Sequence, residues 1–115
     1  MAKKDIKALL PSLKERKRYL VFEIISKNEI SDFMAVKDEI TASMASLIGD
    51  LGMAKANVRF IDEKTKANKG LIMLNHDFVG QLRASLALIR TIKGIPAIAR
   101  SIGVSGMIDK AEAYL

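Results

Sequence analysis

The side chains of this sequence that could do chemistry are mainly cations. A dense group of them stands just before a hydrophobic stretch of the chain: Lys14, Arg16, Lys17 and Arg18. Such a group cannot be buried cheaply without partners, so it is expected at the surface. Surface lysine and arginine bind phosphate groups, and the release of counterions from a polyanion favours that binding. The first chemistry that the sequence suggests is therefore contact with a polyanion.

The net charge of the chain is +6, and it is unevenly distributed. Residues 1–22 contain seven basic and two acidic side chains, and residues 53–104 contain nine and three. Residues 23–52 contain two basic and six acidic side chains, so the positive potential should gather outside this block. The distribution suits phosphate binding. A basic protein with an ordinary solvated surface explains it equally well.

Groups for independent catalysis are scarce. The sequence has no cysteine and one histidine, His76, which excludes disulfides and leaves little material for a metal site or a histidine-activated nucleophile. Its closely spaced carboxylates include the adjacent pairs Asp38/Glu39 and Asp62/Glu63. Adjacent side chains diverge on a helix or a strand, so neither pair suits acid–base catalysis. We predict no catalytic residue, no metal site and no cofactor bound by the protein.

The hydrophobic stretch from Arg18 to Ile25 (RYLVFEII) predicts a β-strand, because it is rich in β-branched and aromatic residues. Alternation places Leu20 and Phe22 on one face and Val21 on the other. A strand with apolar side chains on both faces belongs in the interior of a sheet rather than at its edge. The rest of the chain should be arranged around this strand.

The segment after this strand predicts a long amphipathic helix. Ser31 or Asp32 can accept hydrogen bonds from its first turn, and Gly49 and Gly52 mark its end. Its apolar residues recur at steps of three and four, which places them on one face: Phe33, Val36, Ile40, Met44, Leu47 and Leu51. That face should pack against the sheet.

A second helix is predicted after a further apolar strand. Asn75 can cap it, and Gly94 followed by Pro96 should close it. Its apolar face consists of Phe78, Val79, Leu82, Leu86 and Ile89. A short last helix, capped by Ser105, would carry Ile108, Ala111 and Leu115.

Three further strands are predicted, at residues 55–62, 69–74 and 98–105. The resulting order, strand–helix–strand–strand–helix–strand, is that of the split βαβ or ferredoxin-like arrangement. We therefore predict an α+β fold of the ferredoxin-like (RRM-like) βαββαβ type, a sandwich with a four-stranded antiparallel sheet and extra terminal helices. The first and third strands are central in this topology, and the predicted edge strands carry Arg59 and Arg100, as edges commonly carry charges.

One domain is predicted over residues 1–115, with 1–13 as an N-terminal extension and 106–115 as a C-terminal helix. No apolar run approaches the roughly 20 residues that cross a bilayer. Residues 1–10 lack the apolar core of a secretory signal. We expect a cytoplasmic protein without a membrane partner.

The face of the sheet that the two longer helices leave open should also be apolar. Val21 and Ile25 lie on it, and the third strand contributes either Leu71 and Met73 or Ile72 and Leu74. Such a face must be covered, either by the terminal helices or by another protein.

RNA-recognition motifs share this topology and stack bases on aromatic residues of their central strands. Here the third strand has no aromatic residue, and Tyr19 is the only outward-facing one on the first strand. Contacts to phosphate from basic edges and loops are therefore favoured over base stacking. The candidate RNA-binding residues are Lys14, Arg16, Lys17, Arg18, Lys55, Arg59, Lys64, Lys66 and Arg100.

Three segments carry a family resemblance: 10–24 (LPSLKERKRYLVFEI), 70–89 (GLIMLNHDFVGQLRASLALI) and 100–111 (RSIGVSGMIDKA). In order and spacing they are similar to the archaeal and eukaryotic ribonuclease P protein component 2 family. The resemblance implies a non-catalytic subunit of ribonuclease P, in which an RNA, with magnesium, cleaves precursor tRNA to make the mature 5′ end. It also implies a protein partner, the TIM-barrel-like component 3, and a heterotetramer in which two copies of this chain meet as a homodimer.

The resemblance extends to individual residues. Those that match are Arg18 and Tyr19 at the entrance of the first strand, Lys14, Arg16 and Lys17 in the basic lead-in, Arg83 in the helix motif, and Arg100 beside the VSG segment at 104–106. Met107 stands where many relatives have threonine. Non-basic residues replace basic ones at Met73, His76, Asp109 and Glu112. The RNA surface is therefore placed on the N-terminal lead-in and the edge strands.

A second class of function stays open. A ligand-sensing or oligomerisation module of the same fold would bury its sheet face against a second copy and bind a small metabolite at the interface, without nucleic acid. The basic excess favours the RNA-bound subunit, because a metabolite sensor has no use for it. Retention of RNA by the purified protein at moderate salt would separate the two.

Overall fold

The computed structural model describes residues 16–62 and 68–115. Within them it contains five strands: β1 (Lys17–Ser26), β2 (Arg59–Phe60), β3 (Lys69–Asn75), β4 (Thr91–Ile92) and β5 (Ile95–Ser105). The same residues form three α-helices: α1 (Phe33–Ala56), α2 (Val79–Leu88) and α3 (Ile108–Glu112). A 3-10 turn at His76–Phe78 leads into α2.

The five described strands form one antiparallel sheet in the order β2-β3-β1-β5-β4. The predicted α+β class is confirmed, and the first and third strands are interior, as their apolar faces require. The prediction of a four-stranded sheet is wrong. The additional strand, β4, pairs only Thr91 with Pro96 and Ile92 with Ile95, so it is too short to leave a periodic pattern in the sequence.

The sheet separates two hydrophobic cores. The first core lies between the sheet and the helices α1 and α2, and its fully buried members include Leu20, Phe22, Ile40, Met44, Ile72, Leu74, Leu82 and Leu86. The second core lies between the opposite face and α3, and consists of Val21, Leu71 and Ala111 with half-buried neighbours. Burial of each large side chain contributes about 1.5–3 kcal/mol. The prediction that both faces of β1 are covered is confirmed.

The C-terminal helix supplies the cover of the second face. Ala111 is fully buried against Val21 and Leu71, so Leu71 rather than Ile72 faces this side. A Cβ placed on Gly103 would be 2.5 Å from Tyr114 Cδ2, so only glycine lets the Tyr114 ring lie against β5. The predicted alternatives for this cover are thus resolved in favour of a terminal helix.

Helix α1 begins where the sequence places it. The Asp32 carboxylate accepts a hydrogen bond from the Ala35 amide at 3.3 Å, which satisfies a first-turn donor. The predicted end near Gly49 and Gly52 is wrong, because the helix resumes after Gly49 (φ +73°) and continues to Ala56. Gly49 therefore interrupts the helix without ending it.

The second half of the predicted apolar face is wrong on both sides of the interruption. Leu47 and Leu51, predicted to be buried, are 47% and 70% exposed. Before the interruption the buried face continues from Met44 by a step of four, to Ile48. After it the helix resumes in a new orientation, and Met53 packs against the first core.

The second predicted strand is much shorter than 55–62. Lys55 lies in the last turn of α1, and the strand β2 comprises Arg59 and Phe60 alone. The predicted alternation is confirmed, since Phe60 packs against the first core and Ile61 against the second.

Helix α2 ends at Leu88, not at Gly94 as predicted. Gly94 (φ +78°) and Lys93 (φ +54°) form the turn of the β4–β5 hairpin instead. Two positive φ values in a two-residue hairpin turn match the twist of the flanking strands. The predicted side-chain cap by Asn75 is also wrong, because that amide makes no cap hydrogen bond.

Candidate nucleic-acid interface

One end of the sheet collects most of the described candidate residues. There the start of β1 pairs with the end of β3, with Lys17 opposite Asn75, and the His76 amide donates to the Arg16 carbonyl at 2.8 Å. The end of α1 and the start of β2 lie beside them. We call this region the basic end and define it by Arg16, Lys17, Arg18, Lys55 and Arg59.

A buried amide joins three elements of the basic end. Asn75, only 8% exposed, accepts a hydrogen bond from Lys17 Nζ at 2.9 Å through its Oδ1. Its Nδ2 donates to the Lys55 carbonyl at 2.5 Å, which satisfies an acceptor near the end of α1. One side chain thus holds β1, β3 and the helix that carries Lys55 in a fixed arrangement.

The guanidinium of Arg18 extends toward β5. Its Nη1 donates to the Lys17 carbonyl at 2.9 Å. A Cβ placed on Gly106 would lie 3.4 Å from the same Nη1. Arg18 therefore occupies the margin between the start of β1 and the VSG segment, two stretches that the family resemblance had singled out separately.

The exposed side chain of Arg59 belongs to a row that crosses the sheet. Arg59 is opposite Met73, Met73 is opposite Tyr19, and Tyr19 is opposite Ser105. Opposed residues share a face. Alternation along β2 places Arg59 on the side of Ile61, which is the face that α3 partly covers.

Four of the five cations of the basic end form no ion pair within the described part of the protein. Within residues 16–62 and 68–115, no ion pair involves Arg16, Arg18, Lys55 or Arg59. Their positive potential is therefore available to an external anion, and several cations around one surface reinforce one another.

Arg100 does not belong to this cluster. It is opposite Glu23 and forms an ion pair with it, with Nη2–Oε1 at 2.8 Å and Nε–Oε1 at 3.0 Å. Along β1, Glu23 lies six residues from Lys17, or roughly 20 Å. The charge of Arg100 is thus paired within the protein and lies away from the basic end, and its contact with RNA stays a prediction.

Two further ion pairs lie outside the basic end, and together with the pair of Arg100 and Glu23 they define what we call the far end. Lys93 contacts Asp32 at 2.9 Å and Lys37 contacts Asp62 at 3.0 Å. The hydrogen bond from Lys93, and then that from the Ala35 amide, lowers the pKa of Asp32 below its ordinary value of 3.8. All three pairs are partly exposed, so each contributes little to stability.

The predicted site residues therefore divide into three groups. Five of them form the basic end, and Arg100 lies at the far end. Lys14, Lys64 and Lys66 fall outside the described residues, so their role stays a prediction. The organising role of Asn75 was not predicted from the sequence. The sequence did contain a signal for this role, because Asn75 is a polar residue directly after the predicted strand 69–74, which is apolar on both faces.

The described residues contain no group of three or more His, Asp or Glu side chains placed to hold a metal ion. No helix among them has the length and apolarity required to cross a membrane.

Comparisons with known proteins agree with this architecture. Residues 18–115 match the model of the Rpp14/Pop5 family. Over 111 residues the chain is 41% identical to Ribonuclease P protein component 2 of Methanosarcina mazei, which covers 96% of this chain and 93% of that protein. It is 35% identical over 107 residues to the protein of the same name from Pyrococcus abyssi, covering 93% and 90%.

Among solved structures, a chain in the cryo-EM structure of yeast ribonuclease MRP matches with a TM-score of 0.64 over 88% of this chain and 86% of that one. At 14% identity this likeness shows a shared fold alone. The family model and the archaeal relatives carry the assignment, and they confirm the resemblance found in the sequence: the chain belongs to the Rpp14/Pop5 family.

Proposed function

We propose that this chain is a non-catalytic subunit of ribonuclease P that holds the catalytic RNA by its phosphates at the basic end. The observation that carries the proposal is that the segments bearing five cations, at the start of β1, the end of α1 and β2, meet at one end of the sheet. Relatives named Ribonuclease P protein component 2 indicate the enzyme. The unneutralised cations supply a means of contact with the RNA.

In this proposal the RNA, with magnesium, cleaves precursor tRNA at its 5′ end, and the protein meets the tRNA only indirectly. The protein contributes positive charge where RNA strands approach one another. Lysine and arginine that neutralise phosphates displace counterions, including divalent ones. Less magnesium is then needed to fold and operate the RNA.

The family resemblance also suggests the TIM-barrel-like component 3 as the protein partner, in a heterotetramer with two copies of this chain. The opposed pair Ile25 and Ile98 supports a protein contact away from the basic end, because these side chains are 43% and 62% exposed. We further propose that the fold is ferredoxin-like, with β2-β3-β1-β5 as its four strands and β4 as an addition.

The test is reconstitution of the cognate RNA with this chain and its partner. We expect addition of the two proteins to lower the magnesium concentration that precursor-tRNA cleavage requires. A basic-end variant should lose much of this effect: Arg16→Gln, Arg18→Gln and Arg59→Gln combined. The matched control, with the same change of net charge, is Lys37→Gln, Lys93→Gln and Arg100→Gln combined. An unchanged magnesium requirement with the wild-type chain would contradict the proposal.

A ligand-sensing module is the second candidate, and one observation favours it. A cavity of about 570 Å³ opens at the far end, lined by apolar side chains such as Phe22 and Phe33 and by polar ones such as Glu23 and Asn68. Such a volume suits a small metabolite. Purification at moderate salt separates the candidates: co-purified RNA favours the ribonuclease P subunit, and a co-purified small molecule without RNA favours the sensor.

A further inference from the structure

The row that crosses the basic end combines three chemically distinct side chains. Arg59, Met73 and Tyr19 come from three adjacent strands and lie side by side on one face. Neighbouring strands are about 4.8 Å apart, so the row extends roughly 10 Å from Arg59 to Tyr19. It offers a guanidinium, a thioether and an aromatic ring in sequence.

This row is the part of the second face that the C-terminal helix leaves accessible. The next row of the same face, through Leu71 and Val21, is fully buried by α3. Tyr19 packs partly against the second core but is only half-buried, as is Met73, and Arg59 is exposed. The accessible part of this face is therefore only one row of residues wide, so it can contact only a small group.

A cation stands at each end of the row. Arg59 ends it on the β2 side. On the β5 side the row reaches Ser105, and the Arg18 guanidinium lies close to the adjacent Gly106. An apolar and aromatic centre between two cations is complementary to one nucleotide, with its base over the centre and its flanking phosphates toward the cations.

We propose that the row of Arg59, Met73 and Tyr19 binds one unpaired RNA base, stacked on the Tyr19 ring. This inference rests on the proposed function and specifies which part of the RNA meets this face. A duplex cannot supply the base, because its bases are stacked within the helix. Stacking on an aromatic ring tolerates every base, so the site selects single-stranded RNA without reading its sequence.

The chain offers its own reporter for this contact. It has two tyrosines and no tryptophan, so Tyr114→Phe leaves Tyr19 as the only intrinsic fluorophore of this kind. We expect a single-stranded oligouridine to quench Tyr19 emission in the full-length Tyr114→Phe chain, and a matched RNA duplex to leave it unchanged. The control is Tyr19→Phe, in which the remaining Tyr114 should report no quenching.

Affinity gives an independent measurement. Tyr19→Leu retains an apolar side chain against the second core but removes the ring. It should weaken binding of the oligouridine by about fivefold to a hundredfold, the range for loss of one base–aromatic stack. Binding of the duplex, and the thermal unfolding midpoint of the protein, should stay nearly unchanged.

The outcomes separate this inference from the proposed function. Salt-dependent binding of both RNAs without quenching, or an unaffected Tyr19→Leu variant, overturns the stacked base and leaves the ribonuclease P subunit in place. Absence of any RNA binding overturns both. If the partner protein quenches Tyr19 emission and RNA does not, the inference is overturned and the row belongs to a protein interface.

Discussion

At the far end of the sheet each of three cations faces a carboxylate, as in the pair of Arg100 with Glu23. At the basic end the cations are held by backbone carbonyls and by the Asn75 amide, as Lys17 and Arg18 show. Both ends carry several cations. They differ because the far-end cations form ion pairs, whereas Arg16, Arg18, Lys55 and Arg59 form none within the described residues.

The contrast between paired and unpaired cations indicates which end of the sheet can attract a polyanion. Partly exposed ion pairs each contribute only about 0–1 kcal/mol to stability, and they cancel the field around them. Unneutralised cations do not stabilise the fold, but they retain the field that attracts a polyanion. The basic end is thus the region whose field is least cancelled by carboxylates among the described residues.

The largest expected effect concerns RNA affinity. Combined replacement of Arg16, Arg18 and Arg59 by glutamine should weaken RNA binding about a hundredfold near 0.1 M salt, if each contacts one phosphate. The slope of log K against log[salt] should fall in magnitude by about 2–3. Titration of the RNA at several salt concentrations measures both quantities.

The far-end triple variant of Lys37, Lys93 and Arg100 is the control for that measurement. It removes the same charge, so any general electrostatic loss appears in both variants. If the two variants lose equal affinity, the distinction between the two ends has no functional meaning.

A second comparison uses Asn75 and Asn68, whose side-chain amides each donate a hydrogen bond to a backbone carbonyl. Asn75→Ala should lower the free energy of unfolding by about 1–3 kcal/mol, because the Lys55 carbonyl and Lys17 Nζ lose a buried partner. Asn68 makes the corresponding contact at the far end, to the Ile24 carbonyl at 2.9 Å, but is exposed, so water can replace it. Asn68→Ala should therefore cost less than about 1 kcal/mol.

Urea unfolding measures both asparagine variants, and RNA titration completes the comparison. Only Asn75→Ala should also reduce RNA affinity, since Asn75 positions Lys17 and Lys55. Equal destabilisation by the two variants, with equal RNA binding, would show that Asn75 does not organise the basic end.

The smallest expected effect is on pH dependence. The pKa of Asp32 is lowered in the folded protein, chiefly by the hydrogen bond from Lys93. The associated stability is therefore fully present above the ordinary pKa of 3.8 and is lost as pH falls through the lower, folded value. In the Lys93→Met variant, the decrease in unfolding free energy that accompanies protonation of Asp32 should be smaller. Unfolding curves from about pH 6 to about pH 2 test it, and an unchanged profile would contradict it.

Much of the fold follows from the sequence because apolar periodicity is a local signal. The interior position of β1, the start of α1 at Asp32 and the alternation around Phe60 all come from side chains close together in the chain. The family resemblance, confirmed by the archaeal relatives, also came from contiguous segments. The sequence also named Arg18 and Arg59 as candidates, but their meeting at one end of the sheet is visible only in the strand pairing.

What was not predicted depended on contacts between distant segments. The pairing of Arg100 with Glu23 needs the register of β5 against β1, which no local pattern encodes. The strand β4 is two residues long, so it has no periodicity to detect. The role of Asn75 needs the end of α1 beside it, and that end had been placed seven residues too early, at Gly49.

The break at Gly49 has a mechanical consequence. The hydrogen-bond ladder of α1 is interrupted there, so the orientation of the first half does not fix that of the turns that follow. Those last turns, which carry Lys55, take their direction from the Asn75 anchor and from the Asn57 amide, which donates to the Met53 carbonyl at 3.2 Å. The break therefore lets Asn75 align the turns that carry Lys55 with β3, whatever the direction of the first half of the helix.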